Sequence, residues 1–459
     1  MGDPAEGETC HEGQLSEGKM PETKSSENVY TRQRRIAELA KRYETLTALN
    51  HHLDMEWMGE ACRRTRKDGA KGVDGQSGKE FEKDLDKNLQ GLLDAAKAGN
   101  YRAPAVRRVH IPKGNGETRP LGIPTFADKV LQRAVTMVLE AVYEQDFLPC
   151  SYGFRPGRSA HQCIDGLRDA VRKMAGGWIL EIDIRRFFDT IQRPLLMKVL
   201  SQRVRDGVIL RLVAKWLHAG VMEEGAVTYP KAGTPQGGVI SPILANIFLH
   251  EVLDTWFERE VKPRLRGRTH LFRYADDAVM VFEKEEDARK ALEVLPKRFG
   301  KYGLTLHPDK TRLVPFRRPD RMGGGGQGGP GTFDFLGFTH HWAQMPNGHW
   351  VVLRRTMRSR FRRALRTVSE WLRDNRHRPL GEQHLGLAQR LKGHYGYYAI
   401  RGNTTRAWAF LHNVNRAWKR WLERRSDRAR RGGWKRMNQI LRQYPLPTPQ
   451  YIPRSECPA

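Results

Sequence analysis

Two adjacent acids, Asp276 and Asp277, interrupt an otherwise apolar β pattern that covers residues 271–282. The pattern predicts a strand on each side of the acids, with residues 274–277 at the tip between them. Neighbouring carboxylates repel each other, so a pair of this kind usually holds divalent cations. The alternative is an ordinary hairpin turn, where aspartate is common.

A second apolar strand pattern, residues 178–184, carries a further acid, Asp183. Carboxylates brought together at strand ends can hold a pair of magnesium ions for in-line phosphoryl transfer. The sequence therefore predicts a two-metal site of the kind found in nucleotide polymerases. The histidines are scattered and the five cysteines form no C-x-x-C pair, so neither indicates a zinc site.

The charge of the chain is strongly positive and unevenly distributed. Its 459 residues carry 80 Lys and Arg against 52 Asp and Glu, a net charge of +28. Residues 351–459 hold 26 basic and 6 acidic side chains, which is +20 of that total. The positive electrostatic field of such a region favours binding of a polyanion. Because no run of about 18 apolar residues is present, we expect a cytoplasmic protein with no membrane partner.

Three further features predict nucleotide contacts. Lys113 and Arg119 flank a Gly-Asn-Gly turn, where two cations could close over a triphosphate; a basic surface turn is the alternative. Gln236 stands in a glycine-rich bend that could approach a nucleotide closely or be purely structural. Phe187 and Phe188 follow the first acid by four and five residues. A ring there could clash with a ribose 2′-hydroxyl, and we expect the other ring to be core.

The periodicity of the chain predicts an α+β protein. Residues 1–28 are rich in Glu, Gly and Ser and are expected to be disordered. A helical unit follows, and between residues 100 and 345 short strands alternate with amphipathic helices. Asp128 and Ser159 are expected to cap helices. From Arg354 onward, arginine and tryptophan among helix formers predict a helical domain with a basic face.

Seven motifs follow one another along the chain: RPLGIP (119–124), SYGFRPGRS (151–159), the Asp183 strand, TPQGGVISP (234–242), YADD (274–277), LHPDKT (306–311) and FLGF (335–338). In sequence and order they resemble the reverse transcriptase and maturase encoded by bacterial group II introns, over about residues 30–455. Residues 393–426 are similar to the maturase region of that family. Many relatives carry a C-terminal endonuclease, and the sequence ends at Ala459 without one. The resemblance therefore favours the endonuclease-lacking type, which could prime from existing DNA ends.

The resemblance implies a right-hand polymerase with fingers and palm, a helical N-terminal extension and an α-helical thumb and maturase domain. The implied boundaries are 1–28 for a disordered tail, 29–100 for the N-terminal extension and start of the fingers, 101–345 for fingers and palm, 346–430 for the thumb and maturase domain, and 431–459 for a basic, DNA-binding tail. The implied function is an RNA-directed DNA polymerase that assists splicing and supports retrohoming by target-primed synthesis. Its partners would be group II intron RNA, target DNA and deoxynucleoside triphosphates, in the bacterial cytoplasm and on the nucleoid.

The resemblance also implies roles for individual residues. The ligands of two Mg²⁺ ions would be Asp183, Asp276, Asp277 and the backbone carbonyl of Ile184. The nucleotide contacts would be Lys113, Arg119, Gln236 and a sugar gate at Phe187 or Phe188. The primer or template contacts would be Lys310, Phe335, Leu336 and Gly337. The expected RNA contacts are Arg354, Arg355, Arg358, Arg362, Tyr397, Tyr398, Arg416, Lys419, Arg420, Arg424 and Arg425.

Three other functions fit parts of the sequence. They are a splicing cofactor with a decayed polymerase site, a reverse transcriptase recruited to phage defence or diversity generation, and an RNA-dependent RNA polymerase. The intact metal and nucleotide residues argue against the first, and the maturase-like segment argues against the second. The aromatic pair Phe187 and Phe188 argues against the third, because it favours deoxynucleotides.

Overall fold

Helices packed around three small sheets form the described part of the chain. The computed structural model describes residues 28–112, 118–223, 225–229, 237–319 and 331–450. Residues 1–27 of the predicted N-terminal tail, Lys113 and Gln236 lie outside these ranges. Within them the architecture mixes helix and sheet, as the periodicity predicts.

The N-terminal helices pack against one long buried helix. They are α1 (Val29–Arg42), α2 (Met55–Arg63), α3 (Gly78–Phe81) and α4 (Leu85–Ala98). Apolar residues at helical spacing, including Ile36 and Trp57, are buried between α1, α2 and α5 (Phe126–Tyr143). The Trp57 indole donates a hydrogen bond to the carbonyl oxygen of Ala134 on α5 at 2.9 Å. This contact ties the N-terminal unit to the centre of the molecule.

The start of α5 differs from the prediction. Thr125 is the N-cap, and its hydroxyl accepts a hydrogen bond from the amide of Asp128. The Asp128 carboxylate is buried and accepts hydrogen bonds from three side chains: Tyr101, Gln132 and Trp216. Burial raises the pKa of Asp128 to about 6. By contrast, Ser159 caps α6 (Ala160–Lys173) through a capping box, as predicted.

The strands fall into three separate sheets. In chain order they are β1 (Val106–Pro112), β2 (Thr118–Ile123), β3 (Trp178–Ile182), β4 (Val221–Glu223), β5 (Ala226–Thr228), β6 (Thr269–Tyr274), β7 (Asp277–Phe282), β8 (Arg312–Pro315), β9 (Phe333–Phe335), β10 (Phe338–Gln344) and β11 (Trp350–Thr356). The strand orders are β2-β1-β4-β5, β6-β7-β3-β8 and β11-β10-β9. The second sheet is antiparallel throughout and carries the predicted acids.

The remaining helices connect and cover these sheets. They are α7 (Phe187–Thr190), α8 (Arg193–Arg203), α9 (Gly207–Leu217), α10 (Ser241–Leu249), α11 (Glu285–Lys301), α12 (Arg358–Asp374), α13 (Leu380–Tyr398), α14 (Thr404–Glu423), α15 (Asp427–Arg431) and α16 (Gly433–Gln443). The helix α10 continues in π-helical form over His250–Thr255 and Phe257–Val261. Across the described ranges, no helix combines the length and apolarity that a bilayer crossing requires.

The C-terminal helices form a unit with their own apolar core. Leu372, Leu387, Phe410 and Trp418 are buried together there. Two details differ from the predicted boundaries. β11 is a strand, so the helical unit begins only at α12, and α16 lies within the predicted tail, where it buries Met437 against the same core.

Candidate functional site

The predicted acid pair lies at a two-residue turn between β6 and β7. Tyr274 pairs with Asp277, which leaves Ala275 and Asp276 as the turn. The φ angle of Ala275 is +56°, a region that residues with a side chain rarely adopt. The turn is therefore strained and has to be held by its surroundings.

The third acid, Asp183, comes to the same end of the sheet. It directly follows β3, which pairs antiparallel with β7 in a register that sets Ile182 opposite Ala278. One further step in this register sets Asp183 beside Asp277. The backbone carbonyl of Asp183 accepts a hydrogen bond from the amide of His307 at 2.8 Å. This bond fixes the chain just past the end of β3.

The three carboxylates interact electrostatically. The pKa of Asp277 is raised to about 6, first by the protein atoms that crowd its carboxylate and then by the charges of Asp276 and Asp183, although its side chain still reaches solvent. Burial also raises the pKa of Asp276, while the charges of Arg119 and Arg273 lower it. In the part of the chain that the structure describes, no three acid, histidine or cysteine side chains already sit close enough to hold a metal ion. The acids thus repel one another, but their side chains are not arranged in a ready-made metal-binding geometry.

Several cations face this acidic centre. The Lys310 ammonium lies 3.3 Å from the Asp183 carboxylate. The charge of Arg119, exposed on β2, acts on Asp276. The charge of Arg360, on the first turn of α12, acts on Asp277. The site therefore consists of acids surrounded by basic side chains. The basic side chains suit an anionic substrate, and the acids suit cations bound to that substrate.

The structure separates the roles of the two neighbouring phenylalanines. Phe187 is 2% exposed and belongs to the main core. Phe188 is only partly buried, and its ring packs edge-on against Phe187 at 5.2 Å between centroids. Of the two rings, only Phe188 keeps surface that solvent can reach, and Phe187 packs against it in the core.

The segment predicted to contact a primer is a tight hairpin. Phe335 pairs with Phe338 and is buried, so the tip is Leu336 and Gly337, both partly buried and both with positive φ. The Tyr397 hydroxyl donates to the carbonyl oxygen of Leu336 at 2.8 Å. Burial raises the pKa of Tyr397, and the charge of Asp277 contributes, so the hairpin tip and the acids share one region.

The predicted RNA contacts divide by exposure. The exposed ones are Arg355, Arg358, Arg362, Arg416, Arg420 and Arg424, and the partly buried ones are Tyr397, Tyr398, Lys419 and Arg425. The Arg425 guanidinium donates to the carbonyls of Arg376 and Arg378, which makes it a structural clamp. Arg354, the remaining predicted RNA contact, is almost fully buried. It is 2% exposed, because β11 faces α6 there and Arg354 pairs with Asp165 at 2.6 Å.

Sequence reasoning missed two residues near the acids. Arg360 stands among seven arginines between 354 and 366, and nothing in the sequence distinguishes it from the others. Arg273 is fully buried and donates a hydrogen bond to the carbonyl oxygen of Ala275 in the strained turn. A charge within an apolar strand was the available signal for Arg273.

Comparisons with known proteins agree with this geometry. Residues 111–340 match the family model described as reverse transcriptase (RNA-dependent DNA polymerase). The chain is 35% identical to the protein YkfC of Escherichia coli, over 56% of this chain and 76% of that protein. It is 36% identical to the group II intron-encoded protein LtrA of Lactococcus lactis, over 46% of this chain and 37% of LtrA. An uncharacterized 91 kDa protein in the cob intron of Schizosaccharomyces pombe is 41% identical, over 38% of this chain and 21% of its own length.

Proposed function

The chain belongs to the reverse transcriptase (RNA-dependent DNA polymerase) family, in its group II intron-encoded branch, and on this premise we propose that it copies intron RNA into DNA and assists splicing of that RNA. The observation that carries the proposal is the position of Asp183, Asp276 and Asp277 at one end of a single antiparallel sheet. The match covers 76% of YkfC but little more than a third of LtrA, so the intron-specific steps are proposed only from residues of this chain.

The donor set fits hard divalent cations. Carboxylate oxygens are the ligands that magnesium prefers. The pKa values of Asp276 and Asp277 are raised by burial and by repulsion from neighbouring carboxylates, and bound cations would relieve that repulsion. We propose two Mg²⁺ ions held by Asp183, Asp276, Asp277 and the carbonyl of Ile184. When bound, such ions activate an attacking hydroxyl and neutralise a leaving pyrophosphate.

The side chains around the acids would orient the incoming nucleotide. Arg119 lies on β2 of the first sheet, near enough for its charge to act on Asp276, and its planar guanidinium suits bidentate contact with a triphosphate. We propose that Lys113 and Gln236 assist from outside the described ranges. Phe188 would stand against the sugar and exclude a 2′-hydroxyl, with Phe187 behind it.

The primer and template would pass between the acids and the C-terminal helices. Lys310 beside Asp183, the tip formed by Leu336 and Gly337, and Arg360 on α12 line this side of the site. We assign the second sheet to the palm, the first sheet to the fingers and the α12–α16 unit to a thumb. The positions of these three elements around the acids support the right-hand arrangement.

The exposed arginines of α12 and α14 would bind the intron RNA. Arg358 and Arg362 are one helical turn apart on α12, and Arg416 and Arg420 repeat this spacing on α14. Both pairs could follow a phosphate backbone. The proposed working form is a ribonucleoprotein in the bacterial cytoplasm, associated with the nucleoid when target-primed synthesis supports retrohoming.

The test replaces one acid and compares it with a neighbouring acid that has no proposed role. We expect Asp276→Ala to abolish primer extension on an RNA template and to leave intron RNA affinity and assisted splicing largely intact. Asp309→Ala is the matched control, because its side chain is 88% exposed in the segment next to Lys310. Extension, filter-binding affinity and splicing rate are measured on each variant at several Mg²⁺ concentrations.

Each outcome of this test is informative. Loss of extension, RNA affinity and splicing together in Asp276→Ala would mean that the acid supports the fold rather than the chemistry. Extension that survives in Asp276→Ala at the level of Asp309→Ala would remove the proposed metal site. A wild-type protein that binds intron RNA but extends no primer would leave only the splicing role.

A further inference from the structure

A fully buried arginine lies directly beneath the acid turn. The guanidinium of Arg273 donates from Nε and Nη2 to the two carboxylate oxygens of Asp254, at 2.7 and 2.6 Å. Nη2 also donates to the Ser151 hydroxyl at 2.8 Å, and Nη1 donates to the Asn246 side chain and to the carbonyl oxygen of Ala275, both at 2.9 Å. All five donors of the group are therefore used.

Stability alone does not explain this arrangement. Both Arg273 and Asp254 have no exposed side-chain surface, and taking two such charges out of water costs about as much as their attraction returns. A buried pair of this kind is better explained by what it orients. Among the five acceptors, the only main-chain atom is the carbonyl oxygen of Ala275.

That carbonyl controls the direction of the next residue. A peptide group is planar, so a fixed Ala275 oxygen also fixes the amide of Asp276. This amide interacts with the carboxylate of Asp276 itself and opposes the rise in its pKa. The strained φ of Ala275 needs such an external hold, since an unsupported turn would relax to a more populated conformation.

Two other segments pack against the turn. Asn246 donates to the carbonyl oxygen of Gly153 at 2.7 Å. Gly153 lies so close to the turn that a Cβ on it would stand 2.3 Å from the Ala275 nitrogen. Asp254 belongs to the π-helical continuation of α10, a form that recurs at functional sites. The loop, α10 and its π-helical end thus meet at the turn through Arg273.

We propose that Arg273, with Asp254 and Asn246, is a positioning unit that sets the acid turn in its working conformation. The effect of this unit on catalysis rests on the proposed polymerase function, whereas its effect on the conformation of the turn does not. The unit touches no reacting atom. It acts by holding the Ala275 carbonyl, so its loss would displace the carboxylates without removing them.

The experiment uses the full chain and two readouts. The test variants are Arg273→Lys, which keeps the charge but loses the fork, and Asp254→Asn, which keeps the shape but loses one acceptor. The control is Asp206→Asn, a fully buried carboxylate that binds the amides of Leu49 and Ile209 far from the turn. Hydrogen exchange of peptides covering residues 270–282 reports on the turn, and primer extension gives kcat and KM for a deoxynucleotide.

We expect both test variants to exchange faster across residues 270–282, while Asp206→Asn exchanges there at the wild-type rate. A misplacement of about 1 Å can lower a rate about 100-fold, so we expect kcat to fall about 10- to 100-fold with KM within about threefold. If the test variants match Asp206→Asn in exchange and in kcat per folded molecule, the proposal is overturned. If wild-type protein extends no primer, the polymerase assignment fails, but the exchange result still decides the positioning role.

A third variant keeps the test decisive if Arg273→Lys does not fold. Asn246→Ala leaves the Arg273–Asp254 pair intact and removes one acceptor and the bond to Gly153. If Arg273→Lys is recovered unfolded, Asn246→Ala is expected to show the same faster exchange at the turn and a smaller fall in kcat. A folded Asn246→Ala protein with wild-type exchange and kcat would overturn the proposal.

Discussion

Replacing Phe187 and Phe188 one at a time should separate stability from sugar selection. Phe187 is 2% exposed in the main core, so Phe187→Ala should lower the free energy of unfolding by about 3–5 kcal/mol. Phe188 is only partly buried, so Phe188→Ala should cost about 1–2 kcal/mol. Both variants lose the same edge-on ring contact, worth about 0.5–1.5 kcal/mol, so this term cancels in the comparison.

Sugar selectivity should change in the opposite order, with the larger loss in Phe188→Ala and the smaller loss in Phe187→Ala. Removing the partly buried ring of Phe188 opens space for a 2′-hydroxyl, and we expect the preference for deoxynucleotides over ribonucleotides in kcat/KM to fall about 100-fold, or about 2.7 kcal/mol. Phe187→Ala should retain most of the preference at temperatures where it is folded. Phe188→Tyr, which keeps the ring, is the matched control.

The assays are urea denaturation and single-nucleotide incorporation on an RNA template with each sugar. The reasoning is refuted if Phe187→Ala relaxes sugar preference more than Phe188→Ala does. It is also refuted if Phe188→Ala is the more destabilised of the two, because the assignment of core ring and gate would then be reversed.

Three other predictions follow from particular contacts. Gly153→Ala puts a Cβ 2.3 Å from the Ala275 nitrogen, so primer extension should be lost while RNA affinity, measured by filter binding, remains. Because the folded-state pKa of Asp128 is raised to about 6, the free energy of unfolding should fall by up to about 3 kcal/mol as pH rises from about 4 to 7, and Asp128→Asn should flatten that fall in urea titrations. Alanine at both Arg358 and Arg362 should make the slope of log affinity against log salt for intron RNA shallower by about 1.4–1.8, and an unchanged slope would exclude α12 from the RNA surface.

The sequence by itself determined the local elements and the chemistry at their ends. An apolar β pattern interrupted by Asp276 and Asp277 places the acids at a hairpin tip, because the apolar run breaks there and resumes after them. The helical period and a Ser159 capping box fix α6 for equally local reasons. These features depend on residues within a few positions of one another.

Only the tertiary structure decided which side chains are buried and which distant residues meet. Composition treats Arg354 and Arg355 alike, but β11 turns Arg354 onto α6 and leaves Arg355 in solvent. In the same way, Phe187 and Phe188 differ only through the core beneath them, and Arg273 acquires its partners from three separate segments. Burial and convergence arise from contacts between residues far apart in the chain, so no local pattern records them.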